Sequence, residues 1–155
     1  MKHKAMKLTK VSAGISLILL VAVATGCSKL GFGGPSYTLD GFINGAQVVP
    51  SSASMASGVI SGNFTGSDNT MTGVIKWSGL SGPPTAIHIH SGYAGRNGYP
   101  YFIMQNVPTG TTDSMTFRSV FTESEESGVS KAFYYFDIHT AAYPNGEIRG
   151  QIIAH

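Results

Sequence analysis

The chain is poor in the residues from which most small sites are built. Cys27 is the only cysteine among 155 residues, so an internal disulfide and a cysteine-built metal site are both excluded. Charged residues make up 12%, and beyond the N-terminus no long segment carries the 3.6-residue apolar period. Coiled coils and long exposed helices are therefore excluded. No apolar run reaches the roughly 20 residues of a membrane-spanning helix. No G-x-S-x-G occurs and no serine is marked as a nucleophile by its neighbours, so no hydrolase constellation is present. Basic residues are scarce outside one place. Lys2, Lys4, Lys7 and Lys10 are four of the ten, and all eight acids lie beyond position 39. The formal net charge of +2 thus belongs to the N-terminus. Beyond residue 10 the chain carries six basic and eight acidic residues, a net of −2, with no electrostatic footprint for nucleic acid.

What is present begins with an address. A basic stretch over residues 1–10 is followed by VSAGISLILLVAVAT (11–25) and then Gly26-Cys27-Ser28. That order of positive, apolar and small residues predicts a signal peptide over 1–26. Ala24-Thr25-Gly26-Cys27 resembles a bacterial lipobox, with Cys27 as the lipidated first residue of the mature chain. Lipid on Cys27 would hold the protein at a membrane without spanning it, on the periplasmic face or at the cell surface. Residues 27–36 read as the lipidated cysteine and a flexible Gly- and Pro-rich tether.

From residue 37 to 155 short β-rich runs alternate with turn residues, which predicts an all-β fold. We expect an antiparallel β-sandwich or Greek-key barrel of eight or nine short strands with one short helix. The candidate strands are Tyr37–Ile43, Ala46–Val49, Gly58–Phe64, Met71–Ser78, Ala86–His90, Tyr101–Gln105, Ser114–Phe121, Lys131–His139 and Ile148–Ile153. Period-2 alternation puts Ile60 with Phe64 on one face, and Met71 with Ile75 and Trp77. It sets Tyr134, Phe136 and Ile138 opposite Tyr135, Asp137 and His139. Asn44-Gly45, Asn97-Gly98 and Asn145-Gly146 are turn signals, since both residues tolerate positive φ. Thr122 with Glu125 fits a capping box, and Gly128 is expected to end that helix.

The chemistry is concentrated in a few residues. His88 and His90 alternate with Ile87 and Ile89, so both imidazoles share the face opposite the core. Two imidazoles so placed can converge on one metal ion, and His139 is a third candidate. Asp137 shares its face and would either ligate or orient a ligand. Three imidazoles suit copper or zinc better than calcium or magnesium. The same histidines also suit hydrogen bonds to neighbouring loops, or proton transfer. Glu147, Arg149 and Gln151 alternate with Ile148, Gly150 and Ile152, which places the polar set away from the core. Arg149 would clamp an anion or pair with Glu147 or Asp137. Tyr93, Tyr99, Tyr101 and Tyr143 are candidates for a recognition surface. The terminal His155 is expected to be mobile.

The order of these motifs resembles the chordin-type domain, called CHRD. Leu39-Asp40-Gly41-Phe42 through Val48-Val49-Pro50 matches its opening, and Ala86-Ile87-His88-Ile89-His90 its "A-H-I-H" centre. Asp137-Ile138-His139-Thr140 followed by Tyr143-Pro144-Asn145-Gly146-Glu147-Ile148-Arg149-Gly150-Gln151 matches its close. The resemblance covers about residues 37–153. It implies a β-sandwich outside the cytoplasm and, by analogy with chordin, a non-enzymatic binding or structural role toward an extracytoplasmic protein or a metal ligand. A weaker resemblance is to copper/zinc superoxide dismutase, where His88, His90, His139 and Arg149 would take the places of an H-x-H strand, a later histidine and a closing arginine. That family's bridging histidine, zinc-ligand cluster and disulfide have no counterparts here.

Overall fold

The computed structural model describes residues 33–155. The expected signal peptide, Cys27 and most of the expected tether lie outside the described residues. Among the described residues, no helix is long and apolar enough to cross a membrane.

Among the described residues nine strands form one antiparallel sheet: β1 (Tyr37–Asn44), β2 (Ser57–Thr65), β3 (Thr70–Ser78), β4 (Pro84–Ser91), β5 (Pro100–Ile103), β6 (Asp113–Val120), β7 (Tyr134–Thr140), β8 (Ile148–Gln151) and β9 (Ile153–Ala154). The strand order is β5-β4-β7-β8-β1-β2-β3-β6, with β9 also on β1. The sheet curls until its two edges meet through aromatic rings. Tyr101 of β5 stacks on Phe121, just past β6, with centroids 5.1 Å apart, and Phe117 of β6 meets Phe136 of β7 at 4.9 Å. The result is a nearly closed barrel or sandwich around one core.

The alternation expected from sequence explains why these segments are strands. Leu39 and Ile43 of β1 are buried, as are Ile60 and Phe64 of β2 and Met71, Ile75 and Trp77 of β3, while their alternates are mostly exposed. Ile87, Ile89, Phe136, Ile138 and Ile148 complete the core on β4, β7 and β8. β7 departs from the half-buried pattern, because all but His139 of its seven residues are buried. One face packs on the core. The other lies beneath loops and carries Tyr135, Asp137 and His139.

Four local expectations are corrected. Ala46–Val49 is not a strand. The Asn44 side chain accepts the Gln47 N–H at 3.2 Å and caps a single 3-10 turn over Gly45–Gln47, a local bond that outcompetes sheet pairing. The helix α1 (Glu126–Ser130) runs through Gly128 rather than ending there. Thr122 and Glu125 do pair, the Glu125 carboxylate accepting both the Thr122 N–H and its hydroxyl at 2.8 and 2.6 Å, but they do not cap α1, whose N-cap is Glu125 with no side-chain capping bond. Gly128 serves a close approach instead: a Cβ there would lie 2.8 Å from the Tyr134 ring. Of the three Asn-Gly pairs only Asn145-Gly146 uses positive φ, at Gly146 (113°). His155 is tied down, its backbone paired with Thr38 and its Nε2 3.1 Å from Asp40.

Candidate metal centre

β4 and β7 are neighbours, and their register decides the site. His88 lies directly opposite Asp137, His90 opposite Tyr135 and Ala86 opposite His139. The period of two then puts His88, His90, Asp137 and His139 on one face, opposite the isoleucine core. One donor atom from each of the four lies within 4.8 Å of every other. His90 Nε2 is 3.1 Å from Asp137 Oδ2, His139 Nε2 is 3.1 Å from Asp137 Oδ1, and His88 Nδ1 is 3.7 Å from the same Oδ1. The side chains are only 9–18% exposed.

The tautomers follow from the second nitrogen of each ring. His90 Nδ1 is 2.9 Å from the Gly98 carbonyl, and His139 Nδ1 is 2.9 Å from the Pro144 carbonyl. A carbonyl only accepts, so each Nδ1 carries the proton and each Nε2 of a neutral ring presents a lone pair. Those lone pairs face a carboxylate that itself only accepts. Despite the short distances the ring geometry yields no hydrogen bond. His88 Nδ1, His90 Nε2, His139 Nε2 and Asp137 Oδ1 are all buried without a partner. Four buried polar atoms without partners around one point form an arrangement that a cation would resolve. Burial pushes the His88 imidazole below its ordinary pKa, against the pull of Asp137. Burial alone would raise Asp137, but the positive charge that the His139 and His90 rings carry when protonated outweighs it and holds the carboxyl below its usual range, and against burial Asp137 in turn raises His139. The donors fit a divalent transition metal: imidazole nitrogens and one carboxylate oxygen, each imidazole except that of His88 held from behind by a carbonyl. A cleft of about 320 Å³, lined by Val49, Pro50, Asn97, Pro144 and Asn145, opens over the cluster.

Other predicted residues fall elsewhere. Arg149 is 2% exposed, stands opposite Asp137 on β8, and pairs with neither Asp137 nor Glu147. Instead it donates to the Tyr93 carbonyl, Asn97 Oδ1 and Gln151 Oε1 at 3.1–3.3 Å, and lies 3.5 Å from the Tyr135 ring centroid. The polar alternates of β8 do face away from the apolar core, yet they are buried, because the loop at 92–98 covers them. Glu147 is fully buried and accepts from Ser54 Oγ, Ser81 N, Ser81 Oγ and Thr140 Oγ1 at 2.5–2.8 Å. Burial would raise its pKa, but those donors hold it below the ordinary value. Tyr93 and Tyr99 are exposed, at 50% and 87%. Tyr101 is not part of a recognition surface: it turns into the aromatic cluster and its hydroxyl donates to Glu125.

Sequence reasoning missed Tyr135 and Gly98. Tyr135 shares the face of Asp137 and His139, which was visible as alternation. Its ring stacks on His90 with centroids 5.0 Å apart and planes 11° apart. Gly98 serves both rings, its N–H donating to the Tyr135 hydroxyl at 3.1 Å and its carbonyl accepting from His90.

No curated protein and no solved structure matches the chain. The family model of the CHRD domain matches residues 42–152, a span that takes in all four cluster residues and most of the sheet, and the chain therefore belongs to the CHRD-domain family.

Proposed function

We propose that this protein is a lipid-anchored module of the cell envelope that binds one divalent transition-metal ion, copper or zinc, without enzymatic turnover of its own. The observation that carries this reading is the set of four buried donor atoms that converge with no partner of their own. Nε2 of His90, Nε2 of His139, Nδ1 of His88 and Oδ1 of Asp137 would hold the ion. The donor set lacks sulfur, which favours Cu(II) or Zn(II) over Cu(I). Copper, when bound, would bring redox chemistry, and zinc would not. The signal-like N-terminus and Cys27 support the envelope location and the anchor.

The purified protein is loaded with copper or zinc, dialysed and assayed for metal per chain. We expect one ion per chain, and its loss in His88→Ala and His139→Ala. A wild type that keeps no stoichiometric metal overturns the metal reading. Superoxide turnover by the copper form would overturn the non-enzymatic part. For the anchor, Cys27→Ser is expected to leave the membrane fraction, and retention of lipid by that variant sinks it.

A further inference from the structure

Arg149 is a buried cation that forms no ion pair with any described residue. Buried charge is costly even with the Asp137 charge acting on it, so its neutral hydrogen-bond partners are informative. Two of them, the Tyr93 carbonyl and Asn97 Oδ1, belong to the loop at 92–98. Gln151, which accepts from Arg149, donates to the Gly92 carbonyl of the same loop at 3.1 Å. Asn97 passes the connection on, donating through Nδ2 to the Val49 carbonyl at 2.7 Å, and Val49 walls the metal cleft. The loop ends at Gly98, whose carbonyl fixes the His90 tautomer and whose N–H holds the Tyr135 hydroxyl. Tyr135 lies between β4 and β8 in strand order. It takes the His90 ring from the β4 side and the Arg149 guanidinium from the β8 side. Arg149 therefore reaches His90 by two routes, one through the loop and one through the stacked ring, and touches no donor atom of the cluster.

We propose that Arg149 is the positioning residue of the centre: it clamps the loop at 92–98 and the Tyr135 ring so that His90 presents Nε2 toward Asp137. The planar fork is what the task needs. It supplies directed N–H groups to acceptors on two sides and a flat face to the aromatic ring, and a lysine ammonium supplies neither. This inference rests on the metal reading for its effect on affinity, but the orientation of His90 is observable without metal.

The test compares wild type with Arg149→Lys, Arg149→Met and Asn97→Ala, the last at an exposed loop position that leaves the sheet intact. Two quantities are read: the tautomer of the His90 ring by nitrogen NMR of the metal-free protein, and Cu(II) affinity with its electron paramagnetic resonance spectrum. We expect a fixed Nδ1–H form of His90 in wild type and averaging between tautomers in both Arg149 variants. Cu(II) affinity is expected to fall about ten- to a hundred-fold, with a changed spectrum and no rescue by lysine. Asn97→Ala is expected to shift both readouts in the same direction by less. If Arg149→Met fails to fold, Arg149→Lys and Asn97→Ala carry the comparison. Wild-type tautomer and affinity in these variants overturn the proposal while leaving the metal reading standing. A wild type that binds no copper but whose His90 tautomer responds to Arg149 sinks the metal reading and upholds the positioning role.

Discussion

At the scale of single residues the molecule treats its two buried carboxylates differently. Asp137 Oδ1 is buried with no donor from the rings it faces, whereas Glu147 is surrounded by three hydroxyls and one backbone N–H. The first arrangement is one that a cation would complete, and the second is already complete. Glu147 also joins distant pieces of chain. Its backbone carbonyl accepts from Ser52 and its carboxylate from Ser54, Ser81 and Thr140. Because the folded state holds its pKa below the ordinary 4.5, its ionised form contributes stability that is fully present above that value. The contribution is lost as pH falls through the depressed folded-state value. Glu147→Gln is expected to cost about 1–3 kcal/mol near neutral pH, with the gap to wild type narrowing below about pH 4.5. Urea unfolding across that range measures it. A gap that does not change with pH shows that Glu147 is not held as the anion.

At the scale of elements, the loop at 92–98 is as necessary to the centre as the strands beneath it. Gly98 packs so closely on the Ser91 carbonyl that no Cβ has room. Gly98→Ala is therefore expected to displace the loop, cost about 1–3 kcal/mol and free the His90 ring. Hydrogen exchange should rise over residues 92–98 while β1, β2 and β3 stay protected, and unchanged exchange there contradicts the role given to the loop. This loop also marks where sequence reasoning stops. Alternation alone put Ile60 with Phe64, and His88 with His90, on the correct faces, because side-chain direction in a strand is set by local geometry. That β4 lies beside β7 is a matter of tertiary pairing, and nothing in the spacing of His88 and His139 encodes it. Tyr135 could be placed on a face but not against His90, and Gly98 read as a turn residue when its use is a close approach. Arg149 looked like half of an ion pair because pairing rules supply a carboxylate, and here carbonyls and a ring take that place.

At the scale of the whole molecule, the apolar core and the donor cluster sit on opposite faces of β4 and β7. Ile87, Ile89, Phe136 and Ile138 fill one side, and His88, His90, Asp137 and His139 the other. The barrel closes through its aromatic edges without any contact from the cluster. The fold is therefore expected not to depend on an ion, unlike small zinc domains whose folding is metal binding. The metal-free protein is expected to unfold as one cooperative transition. A bound ion then adds stability by mass action, about 2.7 kcal/mol at a free concentration one hundred times Kd. For a domain of this size that corresponds to a rise of about 10 °C in Tm. Calorimetry with and without zinc measures it, and His88→Ala, which keeps the core but loses a donor, should show a small fraction of the rise. A metal-free chain that lacks a cooperative transition would make the ion part of the fold, and an unchanged Tm at saturating zinc would remove it from the native state altogether.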